Sequence, residues 1–198
     1  MIVGLTGSIA SGKTIVSGMI EEWGVRVVDS DLLAREVTDR NPHVLRKIRR
    51  WAGDDVFNER GELDRPALAR QMFADPALKI KLQGLLHPLI KRRILEEAKR
   101  ARRKPEHLVV VVPLLFETGF TQPFDEVWVT SAPLRVRIAR LLKRDGLSTA
   151  EARQRDRVQM PQADKVRRAD LVIDTNVPLP RLKQSLARLC RSRFSASP

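Results

Sequence analysis

Gly7-Ser-Ile-Ala-Ser-Gly-Lys-Thr14 is the stretch on which the reading of the whole chain turns. It fits the pattern Gly-x-x-x-x-Gly-Lys-Ser/Thr, in which glycines let the backbone wrap around phosphate oxygens with its N–H groups pointing inward. The flanks agree with that reading. Ile2 to Thr6 is short and apolar, as a buried strand is, and Lys13 to Trp23 shows helical spacing in Ile15, Met19, Ile20 and Trp23, with Gly24 as a stop. A loop that leaves a strand and opens a helix holds an anion at the partly positive helix N-terminus. Ala10, Ser11, Gly12, Lys13, Thr14 and Ile15 are therefore expected to bind a nucleoside triphosphate. Lys13 is expected to reach its β and γ phosphates, and the Thr14 hydroxyl to ligate Mg²⁺.

Working outward, Val25, Val27 and Val28 form a second strand that ends in Asp29-Ser30-Asp31, which completes a right-handed βαβ unit. In a parallel sheet, ligand sites lie at the carboxyl edge of the strands, where the phosphate loop and these two carboxylates are expected to meet. A carboxylate there can accept a proton from an attacking hydroxyl or hold a water of the Mg²⁺ shell. Asp31 can equally cap the helix that begins at Leu32.

Leu32 to Arg103 is almost wholly helical in pattern and reads as an insertion long enough to cover a substrate. Asp64 and Asp75 precede proline-containing first turns at Pro66 and Pro76, while Pro42, Gly53 and Gly61 mark turns. Pro88 lies inside a long helical pattern and is expected to kink or split it near His87. Beyond the insertion, Leu108–Val112, Glu126–Thr130 and Leu171–Ile173 are further strands, the first of them a β-branched run suited to burial on both faces. Helices are expected from Ser131-Ala-Pro133 to about Lys143, from the capping box Ser148-Thr-Ala-Glu151, and from Pro178 to Arg191, with 192–198 frayed. Five strands separated by helices predict an α/β fold: a five-stranded parallel sheet flanked by helices.

Two more groups carry chemistry. Glu117, after Pro113-Leu-Leu-Phe at the end of the third strand, is placed to face the same crevice. Arg137, Arg140 and Arg144 share one helical face, and Arg153, Arg155 and Arg157 follow across the Asp145-Gly-Leu147 turn. Two arginine-rich helices joined by a glycine turn suit a lid that brings guanidinium groups to a transferring phosphoryl group and excludes water. The alternative for these arginines is a solvated basic face.

The balance of 37 basic and 24 acidic side chains gives a net charge of +13, which attracts polyanions. There is no tyrosine and no basic stripe interleaved with aromatics, so no nucleic-acid partner is expected. The longest apolar run, Leu108 to Phe116, falls far short of the ~18 residues of a membrane span, and no membrane partner is expected. The N-terminal stretch lacks the basic and apolar regions of a secretory signal, and the single cysteine, Cys190, has no internal partner, so a cytoplasmic location is expected. His43, His87 and His107 lack metal-ligand spacing.

At this point the residues resemble the dephospho-CoA kinase family over nearly the whole length. The resemblance is carried by Gly4-Leu-Thr-Gly7 with the phosphate loop, Val28-Asp-Ser-Asp31 with Leu32-Leu-Ala-Arg35, and His87-Pro88. It continues through Pro113-Leu-Leu-Phe-Glu117-Thr-Gly119, Arg140-Leu-Leu-Lys-Arg144-Asp-Gly-Leu-Ser148, Arg155 with Gln159-Met-Pro161, and Ala169-Asp-Leu-Val-Ile173. It implies a P-loop kinase fold whose nucleotide-binding core spans 1–31, 105–140 and 158–198, with a helical CoA-binding region over 32–104 and an arginine-rich lid over 141–157. It implies Mg²⁺-dependent transfer of the γ-phosphoryl group of ATP to the ribose 3′-hydroxyl of dephospho-CoA. Asp31 would then be the base, Lys13 and Arg140 the charge stabilisers, and Arg140 and Arg144 the lid arginines. His87, Pro113, Leu114, Leu115 and Glu117 would help hold dephospho-CoA together with Asp31. Two alternatives stay open: another P-loop small-molecule or nucleotide kinase, and a nucleotide-dependent nucleic-acid-binding module.

The chain departs from the family pattern twice. Where such enzymes commonly have Gly-Gly-Ile-Gly, this chain has Gly7-Ser-Ile-Ala10, and Ser8 and Ala10 fit only if their φ angles are negative. Where Asn-x-Gly is common, near the adenine, it has Asp174-Thr-Asn-Val177.

Overall fold

A computed structural model describes residues 1–104 and 106–194. The strands are β1 (Ile2–Gly7), β2 (Arg26–Asp29), β3 (Leu108–Val111), β4 (Glu126–Ser131) and β5 (Leu171–Asp174). They form one sheet in the order β2-β3-β1-β4-β5 with every pair parallel. All six residues of β1 and all four of β3 are buried, as strands covered on both faces must be.

The helices are α1 (Lys13–Glu22), α2 (Ser30–Asp39), α3 (Pro42–Ala52), α4 (Arg65–Ala74), α5 (Pro76–Arg103), α6 (Leu134–Asp145), α7 (Thr149–Arg157), α8 (Gln162–Arg167) and α9 (Leu179–Phe194). The chain divides into two compact units, one of residues 1–29 with 97–198 and one of residues 30–96.

In the first unit the pleat sorts side chains by alternation. Val3 and Leu5 of β1 join Val109, Val111, Trp128 and Ile173 under Val16 and Ile20 of α1 and Leu182, Leu186 and Cys190 of α9. On the other face Gly4 leaves room for Leu115 and Phe124, whose carbons would lie 2.8 Å from any Cβ at that position. At the edge, Arg26 of β2 pairs with Glu97 in the last part of α5.

The second unit has its own core of Val44, Ile48, Val56, Leu68, Leu78 and Leu82. Its helix starts follow local capping. The Asn41 carboxamide accepts from the His43 and Val44 N–H groups, so Pro42 opens α3 rather than only marking a turn. Asp64 accepts from Ala67 N, and Asp75 from Ala77 N and Leu78 N.

Of the two outcomes expected at Pro88, a kink or a split, the split does not occur: α5 runs unbroken through it for 28 residues. A proline removes one hydrogen bond and crowds the carbonyl four residues back, here that of Gly84, and twelve or more helical residues remain on either side to propagate the helix. The short helix α8 is an addition, since six residues behind Pro161 offer too little periodicity to read. Of the tail expected to fray, Ser192–Phe194 continue α9, and 195–198 lie outside the described residues.

Candidate functional site

The phosphate loop forms where β1 ends. Gly7 has φ +154° and abuts the Thr130 and Ser11 side chains, leaving no room for a Cβ. Gly12 precedes α1 in the left-handed region, with φ +94°, and would bring a Cβ to 3.0 Å from Thr175. Ala10 also has positive φ, at 57°, which corrects the expectation that a non-glycine residue there needs negative φ. The turn keeps its left-handed shape and the methyl group bears the strain. Ser8 is buried beside it and its hydroxyl has no hydrogen-bond partner.

Side chains from two strand ends, from α6 and from the segment after α7 brace the loop. The buried Ser11 hydroxyl lies 2.6 Å from that of Thr130 on β4. Thr175, just after β5, donates its hydroxyl to the Ser11 carbonyl at 2.8 Å. Arg140 of α6 donates to the Ala10 carbonyl at 3.2 Å, to the Thr175 hydroxyl at 3.0 Å and to the Thr175 carbonyl at 2.7 Å. From the segment after α7, the Gln159 carboxamide accepts from Ile9 N–H at 2.8 Å. Lys13 folds back over the loop and donates to the Gly7 and Ser8 carbonyls at 2.8 and 3.1 Å. Thr14 and Ile15 are exposed on the first turn of α1.

The expected arginine face divides into three environments. Arg137 is buried, pairs with Asp156 of α7 and donates to the Ala132 carbonyl, so it ties α6 to α7. Arg140 reaches the phosphate loop. Arg144 is exposed and forms a two-pronged pair with Asp145 at 2.7 and 2.9 Å, and Arg155 reaches the same carboxylate at 3.3 Å. The Arg144 hydrogen bond, aided by the nearby charge of Arg155, holds the Asp145 carboxyl below its usual range against a smaller opposing effect of burial. Arg153 and Arg157 are exposed on α7.

The segment after β3 is anchored from below. Leu115 is fully buried, whereas Pro113 and Leu114 are half-buried. The Thr6 hydroxyl donates to the Pro113 carbonyl at 3.3 Å. The Glu117 carboxylate accepts from Met160 N–H at 3.0 Å and from Lys165 Nζ at 2.7 Å.

Asp29 closes β2 in the first unit. Asp31 and His87 belong to the second. Asp31 is exposed in the first turn of α2, which begins at Ser30, so its carboxylate lies inside the helix rather than at the cap and favours the positive end of the dipole. His87 is half-buried on α5, and burial, then the charge of Lys91, lowers its pKa.

Sequence reasoning missed Thr130, Thr175, Gln159 and Lys165. Gln159 opens the Gln159-Met-Pro161 stretch of the resemblance and Thr175 lies in the departure Asp174-Thr-Asn-Val177, whereas Thr130 and Lys165 carry no such signal, and each of the four acts on a partner far along the chain.

Comparison with known proteins agrees with this geometry. The family model described as dephospho-CoA kinase matches residues 1–180. A dephospho-CoA kinase of Moorella thermoacetica is 42% identical over 189 residues, covering 93% of this chain and 88% of its own. One of Symbiobacterium thermophilum is 40% identical over 192 residues, covering 96% and 80%. Among solved structures, TT1252 of Thermus thermophilus is 33% identical with a TM-score of 0.81, covering 98% of each chain.

Proposed function

The chain belongs to the dephospho-CoA kinase family, and we propose that it transfers the γ-phosphoryl group of ATP to the ribose 3′-hydroxyl of dephospho-CoA, giving coenzyme A. The observation that carries this reading is a family match over residues 1–180 in a chain whose phosphate loop is formed and braced at the end of β1.

On this reading the N–H groups of Ala10 to Ile15 cradle the ATP phosphates. Lys13 leaves the Gly7 and Ser8 carbonyls for the β and γ oxygens, where its charge counters theirs. Arg140, fixed by three hydrogen bonds, offers preorganised positive charge at the rim, and Arg144 adds to it from the lid. Asp31 accepts the proton of the attacking hydroxyl. His87, Pro113, Leu114, Leu115 and Glu117 hold or shape the place of dephospho-CoA, the buried Leu115 from beneath.

Mg²⁺ bound with ATP needs only one or two protein oxygens, the rest of its octahedron being phosphate and water. The exposed Thr14 hydroxyl on the first turn of α1 fits that need. Among the described residues no three His, Cys, Asp or Glu side chains gather as a protein-only cage would require. When bound there, the ion would supply positive charge that offsets the negative charge of the transferring group.

Two polyanionic substrates give the net charge of +13 a use that needs no nucleic acid. No helix among the described residues is long and apolar enough to cross a membrane. The test is to incubate the protein with Mg·ATP and dephospho-CoA, with adenosine and shikimate as control acceptors, and to weigh the products. Coenzyme A formed only from dephospho-CoA is the expected result. ADP without coenzyme A, or faster phosphorylation of a control, would overturn the assignment.

A further inference from the structure

Lys165 on α8 is fully buried, and it is the charged side chain most completely removed from water among the described residues. Burying an ammonium group is unfavourable unless it is paired and hydrogen-bonded. Here it has both kinds of partner: the Glu117 carboxylate at 2.7 Å and the Pro113 carbonyl at 3.4 Å. These two residues bracket the turn of the segment 113–119, at the point where the chain leaves β3. Glu117 is exposed as a whole residue, but its side chain is only 19% exposed, so the pair is buried at the Lys165 end and partly shielded at the carboxylate.

The neighbours of this pair lead back to the phosphate loop by two routes. Thr6, the residue before Gly7, donates to the same Pro113 carbonyl. The Glu117 oxygen that meets Lys165 also accepts from Met160 N–H, and the adjacent Gln159 holds the Ile9 N–H of the phosphate loop. The Glu117 carboxylate is thus occupied from within the protein by two donors.

We propose that Lys165 and Glu117 are positioning residues for the phosphoryl acceptor: their buried pair fixes the segment Pro113–Gly119 in register with the phosphate loop. This rests on the reading of that segment as one that holds dephospho-CoA. An apolar pair of similar volume would fill the space, but it would not tie the Pro113 carbonyl and the Met160 N–H to one point. Group transfer is sensitive to such ties, since a displacement of ~1 Å in a positioning element can cost about a hundred-fold in rate.

The test is steady-state kinetics on the full chain, varying ATP and dephospho-CoA separately, with a thermal melt of every variant. Lys165→Met and Glu117→Gln are each expected to raise KM for dephospho-CoA by about ten-fold and leave KM for ATP within about two-fold. Glu117→Gln keeps the side-chain volume and an oxygen for Met160, so it carries the test if Lys165→Met does not fold. The double variant Lys165→Met with Glu117→Met removes both charges together and is expected to melt near the wild type while keeping the raised acceptor KM.

A double variant with wild-type KM for both substrates would reduce the pair to packing and overturn the proposal. Equal rises in both KM values, or none, would do the same. Wild-type protein that makes no coenzyme A would sink the functional reading and this inference with it. Active wild type with unaffected variants sinks the inference alone.

Discussion

The Arg140 guanidinium donates to Thr175 twice, to its carbonyl at 2.7 Å and to its hydroxyl at 3.0 Å, and the same hydroxyl donates onward to the Ser11 carbonyl at 2.8 Å. One threonine just beyond β5 therefore couples helix α6 to the phosphate loop. Thr175 is itself buried, and its bond to the Ser11 carbonyl is shielded from water, while the two from Arg140 are partly so.

Replacing that hydroxyl by a methyl group tests the coupling with little change in shape. Thr175→Val leaves the Ser11 carbonyl and one Arg140 donor short of a partner, at a cost of about 1–3 kcal/mol. The expected result is a lower melting temperature and a fall of at least about ten-fold in kcat/KM for ATP, while Thr175→Ser stays near the wild type. Arg140→Lys keeps the charge but loses the planar fork, and it should resemble Thr175→Val. Full activity in both variants would show that the bracing is incidental.

Ala10 at φ 57° sets up a gain of stability. The left-handed region costs a non-glycine residue roughly 1–2 kcal/mol. Glycine gives back about 0.4–1 kcal/mol through the greater freedom of its unfolded chain. Ala10→Gly should therefore raise the melting temperature by ~2 °C. Ser8→Ala, which removes the unpartnered buried hydroxyl, should be neutral or stabilising. A drop in melting temperature for Ala10→Gly would contradict the strain argument.

Lys13 tests the nucleotide reading. Lys13→Met removes the charge and keeps the stem that lies along the loop. Its hydrogen bonds to the Gly7 and Ser8 carbonyls stay within the loop and join no distant element, so the fold should survive its loss. Turnover is expected to fall by about a thousand-fold or more with an unchanged circular dichroism spectrum. Activity near that of the wild type would end the proposal that this lysine meets the phosphates.

Two histidines make stability depend on pH in a defined direction. Burial, then the charge of Lys91, lowers the His87 pKa. Burial, then the charge of the Met1 amino group, lowers that of His107 against a smaller opposing effect of the Phe194 carbonyl. Both folded-state values lie below the unfolded one, so below pH ~6.5 the unfolded chain binds more protons. Their contribution is complete above that pH and is lost as pH falls through the lowered folded values. Melting temperatures followed from pH 7.5 to 5.0 should decline, and more gently in His87→Gln. The depressed carboxyls of Asp125 and Asp145 act at lower pH, outside this window. An equal slope in the variant would exclude His87 as a source.

What the sequence determined by itself is whatever neighbouring residues settle among themselves. The glycine spacing from Gly7 to Thr14, the β-branched run at Leu108, and the caps at Asp64 and Ser148 act over a few residues, so periodicity and turn chemistry make them legible. The parallel sheet follows, because strands joined by helices have few other ways to bury both faces. The bracing of the site is not local. Thr175 meets Ser11 from 164 residues away, Gln159 meets Ile9 from 150, and Lys165 meets Pro113 from 52. Nothing in the sequence around a threonine, a glutamine or a lysine says whether it ends in water or under a turn. That is decided only when the sheet order brings the ends of β1, β3, β4 and β5 to one edge, where backbone groups left unpaired by the loops must find partners. Tertiary structure also settled Pro88 and Ala10, two residues whose local preferences are outweighed by the helix and the loop that contain them.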